Sequence, residues 1–317
     1  MNPKVYVTRK IPEKPLALLE GKCDLCLNEH PLTKDELRKN LKDVDVCICT
    51  INDLIDREVI DCMQRAKIIA NCAAGYNNID FEYAASKGIV VTNTPGVLTN
   101  ATADLAWGLL IAVARRIVEA DKYTREGKFK EWAPTLLLGQ EITGKTLGVI
   151  GAGRIGSSFI RKARGFDMRI LYFGRTRNKE LENETGAVYV DKNTLLRESD
   201  FVSIHVPLTS DTKYMIGLNE LRMMKKNAIL INTSRGSVVD EKALVTALKE
   251  EYIWGAGLDV YENEPEIEYG LLNLENVVLL PHIGSATTEA REKMVEMAVI
   301  NVLAVLNGER PPNRVNF

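Results

Sequence analysis

The stretch TLGVIGAGRIG, Thr146 to Gly156, decides the fold. An apolar, strand-like run ends at Ile150 and leads straight into Gly151-Ala152-Gly153-Arg154-Ile155-Gly156, after which a helical pattern begins. The three glycines of such a turn have separate tasks: a tight turn, close backbone approach to a pyrophosphate, and close packing of helix on strand. The helix N-terminus then offers unpaired N–H groups to the anion. Glycines alone could be ordinary turn residues. The strand before and the helix after make this a dinucleotide-binding fingerprint.

Outward from this point, short apolar runs alternate with helical segments, the pattern of parallel α/β architecture. Toward the N-terminus the strand candidates are KVYVT, DVDVCICT, KIIANCA and IVVTNTP, one α/β unit ending near residue 100. A second series follows the fingerprint: MRILYFG, AVYV, FVSIHVP, AILINTS, GAGLDV and VVLLPHIG. Between the two series the spacing predicts one long helix from Ala101 to Arg125. It would be capped by Thr99 or Asn100, with an apolar stripe through Leu105, Leu109, Ala112 and Val113. A closing helix is predicted from Thr287 to Leu306.

The chain has 317 residues, enough for two domains of ordinary size, and 41 basic against 43 acidic residues give a net charge of −2. That balance disfavours a partner made of nucleic acid, whose phosphates call for many cations. No apolar run reaches the roughly 20 residues of a membrane span, and MNPKVYVTRK lacks a signal-like apolar core, so a cytoplasmic protein is expected. All six cysteines lie within the first 72 residues. Cys23 and Cys26 have C-x-x-C spacing, but no second pair or paired histidine completes a zinc site, so no metal is expected.

Past the fingerprint, YFGRTRNK (172–179) reaches the position where an NAD site supplies Asp or Glu to the ribose 2′-OH, about 20 residues on. Gly174 stands there instead, followed by Arg175, Thr176 and Arg177. A carboxylate would repel a 2′-phosphate, whereas a guanidinium pairs with it and a glycine leaves room. The stretch therefore favours NADP, with NAD possible. Arg177 is a secondary candidate, since side chains two apart on an extended loop need not reach one phosphate.

Three more motifs carry chemistry: INTSRGSVVD with Arg235, LDVYENEP with Glu264, and VVLLPHIGSAT with His282. Each follows a strand-like run, and the carboxyl ends of strands are where open α/β sheets bind ligands. Reduction of a 2-oxo acid needs a cation for the carboxylate and carbonyl, and a proton donor for the alkoxide. Arginine suits the first task and histidine the second. A neighbouring carboxylate would hold the ring and favour imidazolium.

These motifs, with NCAAGYNNID (71–80) and NATADLAWGLLIAVAR (100–115), resemble the D-isomer-specific 2-hydroxyacid dehydrogenases, most nearly the glyoxylate/hydroxypyruvate reductases among them. The resemblance implies two Rossmann-like doubly wound domains. A dinucleotide-binding domain (101–286) would be inserted within a substrate domain formed by 1–100 and 287–317. It implies substrate contacts by Arg235, by the proton donor His282, by the Ala74–Gly75 backbone, and by Trp132 reaching the active site of a partner subunit. Ala74 stands where valine is frequent in such enzymes. Thr102, Thr233, Ser234, Asp259, His282 and Gly284 would lie along the cofactor, with Asp259 on the nicotinamide carboxamide. The expected protein is a homodimeric NAD(P)H-dependent reductase of glyoxylate or hydroxypyruvate. Phosphoglycerate dehydrogenase, D-lactate dehydrogenase and a dinucleotide-sensing corepressor are the alternatives. The first is disfavoured because the chain ends about ten residues past its last helix, the last because no low-complexity flanks are present.

Overall fold

The computed structural model describes residues 2–316. The chain divides into two compact units, one made of residues up to Leu98 together with those from Ser285 onward, the other of Thr99–Gly284.

The first unit is built on a parallel sheet of β1 (Lys4–Val7), β2 (Asp24–Leu27), β3 (Val46–Cys49), β4 (Ile68–Asn71) and β5 (Val90–Thr92), in the order β2-β1-β3-β4-β5. β3 and β4 are buried throughout, which is why they read as continuous apolar runs rather than alternating ones. β2 was not expected. All four of its residues, Asp24, Leu25, Cys26 and Leu27, are exposed, so this short edge strand is held by its backbone pairing with β1 rather than by burial. All six cysteines are free thiols. The closing helix spans Thr288–Leu306, with Thr287 Oγ1 accepting the Ala290 N–H at 3.1 Å as its cap. Its Val295, Val299 and Val302 pack into the same core as Val5, Val46 and Ile68.

The second unit holds seven parallel strands: β6 (Thr146–Ile150), β7 (Arg169–Phe173), β8 (Val188–Tyr189), β9 (Phe201–Ile204), β10 (Ile229–Asn232), β11 (Gly255–Leu258) and β12 (Val277–Leu279). Their order is β12-β11-β10-β9-β6-β7-β8, so the direction of winding reverses between β6 and β9. Successive strand residues feed opposite faces: Ile229 and Ile231 join one core, Leu230 the other. On the first of these faces Trp107 stacks on Phe159 at 4.8 Å and on Phe166 at 4.9 Å.

The single helix expected over 101–125 is two helices, Thr99–Ala114 and Ile117–Arg125. Thr99 and Asn100 lie inside the first turn rather than capping it, and Asn100 Oδ1 accepts a hydrogen bond from Ser158 at 2.9 Å. The break is at Arg116, in the left-handed region at φ 53°, where the guanidinium grips Glu119 through two bonds of 2.7 Å. The Ala114 carbonyl is taken by the Gln140 N–H at 2.7 Å. The second helix has no buried residues, so no core contact holds it in line with the first.

Phe159 is fully buried against Trp107. Phe159→Ala is therefore expected to cost about 3–5 kcal/mol, the usual penalty for emptying an aromatic core site. Urea unfolding of the variant measures it, and a loss below about 1 kcal/mol would contradict this packing.

Candidate active site

At the reversal of strand order, β6 runs into the glycine turn. Gly151 sits at φ 98°, a conformation that side chains disfavour, and its N–H donates to the Phe173 carbonyl at 2.8 Å. A Cβ there would lie 2.8 Å from the His205 carbonyl, and one on Gly156 only 1.9 Å from the Gly151 oxygen. Packing thus forces the first and last glycines. A Cβ on Gly153, by contrast, would meet nothing within 4 Å. Gly153 caps the helix Arg154–Ala163 without any side-chain bond, so the N–H groups of that turn remain open to an anion. Ala152, Arg154 and Ile155 complete the turn.

β7 ends beside this turn. A side chain at Gly174 would come 3.8 Å from the Ala152 nitrogen, an ordinary contact, so the position faces the fingerprint and has room. Arg175 and Thr176 are exposed, and Arg175 makes no hydrogen bond or ion pair among the described residues. Arg177 is occupied: Nε and Nη2 bind both oxygens of Glu182 at 2.8–3.1 Å. The turn and the open space at Gly153 fit a dinucleotide.

Arg235, Glu264 and His282 follow β10, β11 and β12. His282 Nδ1 and Glu264 Oε2 are 2.7 Å apart, and the other oxygen of Glu264 accepts the Tyr261 N–H at 2.9 Å. Burial pushes the Glu264 carboxyl up. The hydrogen bond and charge of His282, the Tyr261 N–H and the Arg235 charge outweigh it and hold the carboxyl below its ordinary value. Burial lowers the Arg235 guanidinium, with the Glu264 charge opposing. The Arg235 backbone is fixed by Asn232, whose amide donates to its carbonyl at 3.0 Å while the Asn232 oxygen accepts from the Ser234 N–H and hydroxyl at 3.0 and 2.9 Å. His282 is in the left-handed region at φ 54°, a strained backbone held from both sides. Asp259, 1% exposed, accepts the Ile283 and Gly284 N–H groups, each at 2.7 Å, immediately after the histidine. Desolvation raises the Asp259 carboxyl despite those bonds. His282 Nε2 has no partner among the described residues.

Thr102, Gly284 and Asp259 converge: a Cβ on Gly284 would lie 3.1 Å from Asp259 Oδ2 and 3.3 Å from Thr102 Cγ2. Thr233 Oγ1 is buried without a hydrogen-bond partner, an orphan hydroxyl that a ligand would satisfy. Trp132 is 78% exposed on the segment between Arg125 and β6.

Ala74 and Gly75 belong to the first unit, on the loop after β4. Three successive carbonyls of that loop are tied back: Ala73 accepts the Thr94 N–H at 2.9 Å, Ala74 the Asn93 amide at 2.7 Å, and Gly75 the Asn71 amide at 2.9 Å. The loop's own Ala74 and Gly75 N–H groups have no hydrogen-bond partner among the described residues.

The family model for the D-isomer specific 2-hydroxyacid dehydrogenase NAD binding domain matches residues 107–284. Glyoxylate reductase of Thermococcus litoralis is 53% identical over 322 residues, spanning all of this chain and 97% of that protein. This chain belongs to the D-isomer specific 2-hydroxyacid dehydrogenase family. A crystal structure of a Thermus thermophilus protein is 45% identical with a TM-score of 0.92, covering 98% of this chain and 99% of that one. The NADPH-dependent glyoxylate/hydroxypyruvate reductase of Sinorhizobium meliloti, solved with NADP and malonate, is 33% identical with a TM-score of 0.88, covering 99% and 97%. As a member of the family the chain is an oxidoreductase with a nicotinamide dinucleotide-binding domain. No helix among the described residues is long and apolar enough to cross a membrane, and no cluster of three or more His, Cys, Asp or Glu there could hold a metal.

The sequence does not mark the residues that support the site: Asn232, Asn71 and Asn93, whose side chains orient backbone, and His205. Nothing in a single asparagine marks such a role. His205 was visible in FVSIHVP, yet its setting was not. The imidazole sits 5.0 Å from the Phe159 ring, with Nε2 at 2.9 Å from Ser203 Oγ, and burial pushes its pKa down to about 3.

A native pKa below the unfolded value of about 6.5 means that the unfolded chain takes up a proton His205 cannot, so stability falls as pH drops from about 6.5 toward 3. His205→Gln is expected to lose roughly 1–2 kcal/mol less than the parent between pH of about 6.5 and 5 in urea titrations. Equal losses would show that His205 titrates freely.

Proposed function

We propose that the protein reduces small 2-oxo acids, glyoxylate and hydroxypyruvate first, with a nicotinamide dinucleotide, NADPH in preference to NADH. The carrying observation is the His282–Glu264 pair at 2.7 Å, with Arg235 near enough to bias Glu264, at the strand ends of the unit that holds the glycine fingerprint. The names of the Thermococcus and Sinorhizobium relatives support the substrate class.

In this reading Arg235 pairs with the substrate carboxylate and polarises the carbonyl, which its low-dielectric surroundings strengthen. When bound, the nicotinamide supplies a hydride to the carbonyl carbon. His282 gives its Nε2 proton to the oxygen that becomes the hydroxyl, and Glu264 holds the ring and offsets its positive charge. The glycine turn 151–156 receives the pyrophosphate, Gly174, Arg175 and Thr176 the adenosine ribose, and Thr102, Thr233, Ser234, Asp259 and Gly284 the nicotinamide end. Ala74 and Gly75 present N–H groups suited to a carboxylate.

His282→Ala is expected to lower kcat about 10²–10⁴-fold with little change in dinucleotide affinity. Near-normal turnover would remove His282 from the chemistry. A kcat/KM panel of 2-oxo acids with NADPH and NADH tests the substrate: glyoxylate or hydroxypyruvate should lead, and pyruvate or phosphohydroxypyruvate in first place would overturn the choice.

Arg175→Ala should weaken NADPH on the order of tenfold to a hundredfold more than NADH, the loss of one charge-assisted bond. Adding Gly174→Asp should reverse the preference, because the new carboxylate would face the fingerprint. Equal weakening of both dinucleotides would mark the loop as merely solvated.

The homodimer belongs to the same reading. Ile117, Val118, Phe129, Trp132 and Leu138 are all large, apolar and exposed within one stretch of chain, more than a monomer of this kind scatters singly. That stretch would be covered by a second copy, and Trp132 would enter the neighbouring active site. Sedimentation at micromolar concentration should give twice the chain mass, and a monomer would contradict the assignment.

A further inference from the structure

The two arginines of YFGRTRNK are not equivalent. Arg177 is bound by three hydrogen bonds of 2.8, 3.1 and 2.8 Å to both oxygens of Glu182. Glu182 Oε1 also accepts the Tyr172 hydroxyl at 2.6 Å, and that hydroxyl accepts the Asn178 N–H at 2.8 Å. Tyr172 is fully buried, so Glu182 is anchored to the core, while the Arg177 side chain it holds stays 58% exposed. At the other end of the loop the Tyr189 hydroxyl donates to the Gly174 carbonyl at 2.9 Å. The loop 174–178 is thus tied at both ends, with Arg177 turned onto Glu182 and Arg175 unpaired. Arg177 first, then Tyr172, hold the Glu182 carboxyl down to about 2, so it is an anion at any working pH.

We propose that Glu182 is a specificity-determining residue for the dinucleotide: it holds Arg177 as its own counter-ion, so that Arg175 alone meets a 2′-phosphate while Arg177 cancels a carboxylate that would otherwise repel it. This rests on the reading of Gly174, Arg175 and Thr176 as the ribose site. The carboxylate absent at Gly174 has a counterpart in Glu182, further along the chain, neutralised in place by Arg177. A neutral pair leaves a bound 2′-phosphate little to feel, whereas either member alone would add a whole charge on the segment that directly follows Arg175.

The test is a double-mutant cycle read by calorimetric dissociation constants for NADPH and NADH, and for adenosine 2′,5′-bisphosphate against AMP, with no turnover needed. Arg177→Ala should lower the NADPH preference about threefold to tenfold, the effect of one uncompensated and partly screened charge. The loss should shrink as salt is raised, since it acts through space. Glu182→Gln, which keeps an acceptor for Tyr172, should raise the preference by a similar factor. The double variant should return to within about twofold of the parent. Arg177→Met, keeping the aliphatic stem, stands in if thermal unfolding shows the alanine variant to be damaged. A double variant as weak as Arg177→Ala alone would make Arg177 a phosphate ligand and overturn the proposal. So would an unchanged preference in Arg177→Ala. Arg175→Ala, run in parallel, separates the failures. If it leaves the preference unchanged, the ribose-site reading fails. If it lowers the preference while the cycle shows no coupling, only the role of Glu182 falls.

Discussion

The hydrogen bond between His282 and Glu264 joins two loops that are each tied down by backbone N–H groups closing on a carboxylate. His282 carries a left-handed backbone, which for a residue with a Cβ costs on the order of 1–3 kcal/mol. Two N–H groups just beyond it close on the buried carboxylate of Asp259, and the Tyr261 N–H closes on Glu264. Asp259 and Glu264 both leave β11, so one strand end supplies the anchors for the histidine loop and for its partner. Burying Asp259 is unfavourable in itself, as its raised carboxyl shows, and the paired N–H groups offset that cost. The geometry that holds His282 against Glu264 is thereby a property of the sheet, not of the histidine.

The same logic runs through the cofactor side. Gly151 and Gly156 are fixed by close packing against His205 and against each other, while Gly153 fronts open space. Charge follows the pattern of shape. Arg175 has no hydrogen bond or ion pair among the described residues, and Arg177, two residues on, is fully matched by Glu182. Asparagine amides do the equivalent work on backbone: Asn232 under Arg235, and Asn71 and Asn93 under the Ala73–Gly75 loop.

What the sequence made legible was whatever depends on burial along a single element. The inner strands β6, β9, β10 and β11 lie within apolar runs, because strands covered on both faces are mostly apolar rather than alternating. β2 escaped because its side chains are exposed and only its backbone pairing with β1 makes it a strand. The helix break at Arg116 escaped for a related reason. Apolar spacing continues across it, and the interruption comes from a left-handed residue and from Gln140, distant in sequence, capturing the Ala114 carbonyl. Arg235, Glu264 and His282 stood out as motifs after strands. Their spacing to one another, and the commitment of Arg177 to Glu182, depend on how loops from different strands meet, which no local pattern encodes.

The central claim is that hydride passes to the carbonyl carbon of a 2-oxo acid while this chain's histidine supplies the proton. It is tested most directly by following the isotope. With NADPH deuterated at the transferable position, the glycolate formed from glyoxylate in ordinary water should carry one deuterium on carbon 2, with the hydroxyl proton drawn from solvent. Glycolate without deuterium, or no glycolate at all while the dinucleotide still binds, would contradict the account.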